Sequence, residues 1–343
     1  MNDAAIWWKY IPSARRFRKK VTGFLSEDSS VHIIVPKEFP YLEEFTDEVV
    51  SKTLDCFSDR SSRRCKSDME AEEWIKNNFY SEEERLYLNP RISIANSIVE
   101  NENTIFHSMV IVISSDNEQT IKDWLQFISS YFHGREGKKK AVFLIISQKK
   151  GMAVQNMRML DYMDYADSYD FQAFASLLSA DLKMGDRFKS YLTELACLCG
   201  KKNAEKIAFF INEAIYFLKD PISVCVSEYG MDKKEMESLV WKAQIRTVYP
   251  IIEDFRQILI RKRRKDLEHL LPVANAFGET IAKPEDLEIG TLSYLVDNYQ
   301  LNLPYDMIRV YRTFRESRNK LSHISILSYD EICTLLEWKY EMR

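Results

Sequence analysis

Three short apolar runs constrain this chain more than any other feature: VHIIV (31–35), MVIVI (109–113) and AVFLII (141–146). Each is long enough for a buried strand and too short for a helix. They are apolar throughout instead of alternating with polar residues, which is how strands covered on both faces of a parallel sheet read. Between them lie helical stretches over 40–57, 69–79 and 118–132, the last with Trp124, Phe127, Ile128 and Tyr131 at helical spacing. Strand alternating with helix predicts an α/β layer with crossover connections and a short, mostly parallel sheet.

Such a layer invites a search for a phosphate-binding loop after the first strand. The residues there are PKEFPYLEEF, with two prolines, no glycine and no Gly-Lys-Ser/Thr, so the backbone cannot cradle a phosphate. The second run ends in SSDNE, where Asp116 or Glu118 could imitate an acidic magnesium-binding pair. Without a phosphate loop, the expected role of both is to solvate the turn. In element order this part resembles P-loop ATPase domains of the STAND or AAA kind that lack the catalytic apparatus. No cofactor is expected, and a protein partner or regulatory ligand is the role left for this half.

After residue 155 the pattern turns almost wholly helical. DSYDFQAFASLLSADLKM, FKSYLTELACLCG and AEKIAFFINEAIYFLKD carry apolar residues three and four apart, with Gly200 placed as a helix C-cap and Phe171, Phe174, Leu177, Leu178, Leu192 and Leu195 as core. Asp232 is a good N-cap for a long helical stretch that Pro250 must kink or divide. Helices after Pro284 and Pro304 and a last one over 328–340 complete a four-helix bundle. The expected organisation is an α/β domain over 1–155, a helical connector over 156–230 and a helical domain over 231–343.

Composition narrows the function classes. With 45% apolar and 29% charged residues in 343, the chain is globular. No apolar run could cross a bilayer and the first twenty residues lack a secretory pattern, so a cytoplasmic protein without membrane contact is expected. Six cysteines without paired knuckles read as reduced thiols, and His32, His107, His133 and His269 lack metal-ligand spacing, so no metal is expected. Trp7, Trp8 and Tyr10 read as an anchor for the first helix. The net charge of −4 argues against a general grip on nucleic acid, yet two basic runs stand out. Arg15, Arg16, Arg18, Lys19 and Lys20 read as the solvent side of a helix; Arg261 to Lys265 fit either a solvent face or a phosphate contact.

The helix opened by Pro304 carries two stripes. Ile308, Tyr311, Phe314 and Leu321, with Val310 at the flank, form an apolar side. Arg309, Arg312, Arg315, Asn319 and His323 advance three or four residues at a time as a polar ridge, with Arg318 at its edge. RNKLSH, 318–323, resembles the R-x4-H signature of HEPN domains, including a polar second and a basic third position. The resemblance extends over roughly the last 110 residues, through IRTVYPIIEDFRQILI and DLEIGTLSYL into ILSYDEICTLLE.

The resemblance implies a four-helix domain and a metal-independent endoribonuclease that works as a homodimer or higher even oligomer, with two motifs facing across a cleft. RNA supplies its own nucleophile, the ribose 2′-hydroxyl, so a protein need only move protons and steady the phosphate. His323 is then the acid or base, since imidazole titrates near neutrality. Arg318 clamps the phosphate, and Asn319 orients the histidine or donates to a non-bridging oxygen. Lys320, Arg315, Arg312, Arg261, Arg263 and Arg264 are the expected substrate-binding cations. Some HEPN-like bundles act without catalysis as nucleotide-binding or assembly modules. The alternative expectation is therefore a regulatory subunit of a bacterial defence or toxin system; the catalytic reading points to a toxin or antiviral effector.

Overall fold

The three apolar runs form the middle of a five-stranded, wholly parallel sheet in a computed structural model that describes residues 2–66, 68–89, 91–274, 278–298 and 300–338. The strands are β1 (Ser30–Ile34), β2 (Ser61–Cys65), β3 (Met109–Ser114), β4 (Val142–Ser147) and β5 (Met157–Asp161), in the order β2-β3-β4-β1-β5. Val31 lies opposite Leu144, and Val110 opposite Val142. The two strands that the apolar pattern does not reveal are the edges, SSRRC and MRMLD. Edge strands face water on one side and need no uninterrupted apolar run. β5 also carries the sheet past residue 155, where the sequence pattern turns helical.

Both faces of the sheet are covered. On one, alternate residues of β3 and β4 (Ile111, Ile113, Phe143, Ile145) meet Trp74 of α4 (Ala71–Phe79) and Trp124, Phe127 and Tyr131 of α5 (Glu118–Gly134). On the other, Trp8 of α1 (Asp3–Tyr10), Phe17 of α2 (Pro12–Ser26), Phe45 of α3 (Leu42–Leu54), Phe39 and Tyr162 form a second aromatic cluster. Trp7 and Trp8 are buried as expected of an anchor, whereas Tyr10 is exposed. His32 and His107 are core residues; His133 and His269 lie on the surface.

The chain divides into two compact units, residues Met1–Asp170 with Asn203–Glu205, and Phe171–Lys202 with Lys206–Arg343. The second is helix-rich. In it α6 (Asp186–Gly200) packs along α7 (Lys233–Thr247), which Asp232 caps by accepting the Glu235 amide at 2.8 Å. The expected break falls at Val248, and Pro250 takes a place in the first turn of α8 (Tyr249–Lys262), where its missing N–H costs nothing. Two-residue strands Val273–Ala274 and Thr280–Ile281 pair antiparallel, a small departure from an all-helical part. Then come α9 (Ile289–Asp297), α10 (Tyr305–Ser322) and α11 (Tyr329–Glu337). Residues 339–340 of the expected last helix lie outside the described residues. No helix among the described residues is long and apolar enough to cross a membrane.

Candidate active site

α10 is anchored by its apolar stripe. Tyr311, Phe314 and Leu321 are buried; Phe314 stacks on Phe255 of α8 with centroids 4.3 Å apart, and both rings meet Trp338 at 5.4 Å. The Tyr311 hydroxyl donates to the Ile289 carbonyl at the start of α9, and burial raises its phenol pKa. With that face committed to the core, Arg309, Arg312, Asn319 and His323 are left exposed, while Arg315 and Arg318 are half-buried.

The helix ends at the motif. The Ser325 amide donates to the Lys320 carbonyl at 2.9 Å and the Ile324 amide to the Leu321 carbonyl at 3.2 Å, the two bonds of a Schellman cap. Such a cap needs a left-handed residue, usually glycine. Here it is Ile324, at φ +59°, with its β-branched side chain 71% exposed. α7 holds the turn on both sides. Trp241 Nε1 donates to the Leu321 carbonyl at 2.9 Å, and the buried Gln244 side chain both accepts from the Leu327 amide at 2.8 Å and donates to its carbonyl at 3.1 Å. His323 is thereby fixed one residue past the helical end.

In an ideal helix Asn319 and His323 lie about 40° apart around the axis, and Arg318 and His323 about 140° apart. Asn319 and His323 thus share a face, whereas the Arg318 guanidinium sits to the side, 3.7 Å from Glu288. Carboxylates hold the neighbouring cations too. Asp297 lies 3.5 Å from Arg315 and 4.0 Å from Arg312, and Glu331 lies 2.7 Å from Lys320. Burial alone would raise the Glu331 pKa, but Lys320 and the Ser328 amide and hydroxyl outweigh it and hold the carboxyl below its usual range.

The second basic run sits elsewhere. Arg263 donates to the Asn302 carbonyl at 2.6 Å, just before α10 begins, and pairs with Asp266; Arg264 pairs with Glu268 and Glu285. His323 lies at the other end of α10, about 27 Å along its axis. Arg263 is therefore placed at the end of α10 away from His323, and Arg264 is held by two carboxylates. Arg261 and Arg309 have no carboxylate partner among the described residues.

Sequence reasoning missed Glu288, Asp297, Trp241, Gln244 and Ile324. Only Glu331 had a local signal, the Ser328-x-x-Glu331 capping box. At the carboxyl ends of β3 and β4, a cavity of about 220 Å³ is lined by Ser115, Asp116, Glu118, Lys122, Lys149 and Lys150 among others. Glu118 pairs there with Lys149 at 2.7 Å. No cluster of three His, Cys, Asp or Glu side chains among the described residues is placed to hold a metal ion.

Comparison with known proteins returns no matching family model, no matching curated protein and no matching solved structure.

Proposed function

We propose that the chain is an endoribonuclease of the HEPN type, cleaving RNA without a metal at a cleft between two copies. One observation carries this reading: Asn319 and His323 are presented to solvent on one face of α10, and no packing role uses them. In the proposed step one histidine takes the 2′-hydroxyl proton, the oxygen attacks the adjacent phosphorus, and the 5′-oxygen leaves with a proton from a second acid. The products are a 2′,3′-cyclic phosphate and a 5′-hydroxyl. Arg318 and Asn319 steady the charge that builds on the phosphoryl oxygens. The angular separation of Arg318 from His323 favours two copies over one, because a facing motif can supply the arginine on the side that its own helix leaves open. The regulatory role that we propose for the N-terminal unit follows its resemblance to an ATPase core, which the strand order β5-β1-β4-β3-β2 supports.

Incubating the purified chain with RNA in a chelator and characterising the fragment ends tests the reading; intact RNA, or 3′-hydroxyl ends, contradicts it. One observation favours the noncatalytic alternative. Arg312, Arg315, Arg318 and Lys320 each have a carboxylate at 4.0 Å or less, so phosphate must displace acids already in place.

A further inference from the structure

The two basic runs differ in a way that their composition hides. In the second, Arg263 and Arg264 are neutralised by Asp266, Glu268 and Glu285. In the first, on α2, Arg18 turns inward to Glu48, while Arg15, Arg16, Lys19 and Lys20 are exposed and none has a carboxylate partner among the described residues. α2 itself, PSARRFRKKVTGFLS, contains no acid, and Glu48 is already shared by Arg18 and Lys52. Arg15 and Arg16 lie nearer the N-terminal end of the helix, where a cation gains nothing from the helix dipole. Helix stability does not explain their placement.

The geometry is that of a track. Arg15 with Arg16, and Lys19 with Lys20, make two rungs one turn apart, about 6 Å along the axis. Beyond them the half-buried Phe24 ring has Lys20 Nζ 5.9 Å and the Arg158 guanidinium of β5 5.8 Å from its centroid. Cations in a row leading to an aromatic ring match the way proteins follow a single strand, with phosphates on the charges and a base near the ring. A membrane surface fits less well. A helix lying in a lipid interface inserts apolar side chains, and those of α2 (Phe17, Val21, Leu25) are spent in the core at 0% exposure.

We infer that the exposed face of α2, with Phe24 and Arg158, is a docking surface for the phosphate backbone of single-stranded RNA. This extends the proposed function by giving the N-terminal unit a substrate contact, but it does not require that the chain cut. Binding is therefore measured in a full chain carrying His323→Ala, using a labelled single-stranded RNA over a salt series. In that background, replacing Arg15, Arg16, Lys19 and Lys20 together by Gln should lower low-salt affinity at least tenfold. It should also flatten the slope of log affinity against log salt by about 3, four phosphate contacts at about 0.7 each. The milder pair Arg16→Gln and Lys19→Gln should give about half that change with an unaltered circular dichroism spectrum. Arg264→Gln, which removes a cation already paired with Glu268 and Glu285, should change the slope by well under the roughly 0.7 of a single phosphate contact. Equal affinity and slope in the four-Gln chain overturns the inference. So does a chain that binds no RNA, or one whose substitutions abolish binding to phosphatidylglycerol vesicles while leaving RNA binding intact. Failure of cleavage alone leaves these outcomes unchanged, so the two readings fail separately.

Discussion

At the residue scale the motif makes two separable demands. Proton transfer and charge stabilisation each contribute about a hundredfold or more to such reactions. His323→Ala and Arg318→Ala should each therefore reduce RNA cleavage at least that much on a gel, with the melting curve of the His323 variant unmoved, since His323 is exposed. Wild-type cutting by either variant removes the assignment. Ile324 is the opposite case, a residue whose own backbone is strained. A left-handed β-branched residue costs about 1–2 kcal/mol, partly offset in glycine by chain entropy, so Ile324→Gly should raise unfolding stability by about 0.5–1 kcal/mol. A lower denaturation midpoint would show that the isoleucine side chain is itself needed there.

At the scale of elements, α7 locks the turn after the motif, and the sheet carries a buried base. Gln244→Ala leaves both the amide and the carbonyl of the buried Leu327 without a side-chain partner. The expected loss is about 2–4 kcal/mol in urea denaturation, and a loss below about 1 would mean that water replaces the amide. In β1, His32 Nε2 is 2.8 Å from Ser147 Oγ, and that hydroxyl donates to the Lys149 carbonyl, so the ring is the donor and Nδ1 is left with no partner. Burial pushes the His32 pKa down to about 4. The unfolded chain takes up this proton near pH 6.5 and the folded chain only near 4, so stability is complete above pH 6.5 and falls as the solution is acidified between those values. The total is about 3 kcal/mol from this group. His107, lowered by burial and Arg135, acts in the same direction. Denaturation midpoints followed with falling pH should decline, and His32→Gln should flatten the profile; a decline of the same size in that variant places the linkage elsewhere.

For the whole molecule the test is association. If two motifs share a cleft as proposed, cleavage per chain falls on dilution below the dimer dissociation constant. Specific activity and sedimentation should then lose their plateau over the same concentration range; activity that stays constant through dissociation means that one chain suffices. Arg261→Glu, in the last turn of α8, should weaken RNA affinity without changing the product ends.

The central strands β1, β3 and β4 and the helices over them could be read in the sequence because burial on two faces demands unbroken apolar runs. The exposed ridge of α10 and the break before Pro250 could be read too, since helical periodicity and a missing N–H are properties of neighbouring residues. Strands β2 and β5 could not, because an edge strand is apolar on one side at most and its pairing partner is distant in the chain. The same reason hid Glu288 and Asp297 beside the arginines, and Trp241 and Gln244 around the motif. Each acts on residues 15 to 83 positions away. Local pattern thus determined most of which side chains face water, though not Arg18, read as solvent-facing and in fact buried, nor Leu177, read as core and in fact exposed. Only folding decided which exposed cations are already neutralised, as Arg264 is, and which, like Arg15 and Lys19, are left with a charge to share, because a carboxylate's reach is set in space and not along the chain.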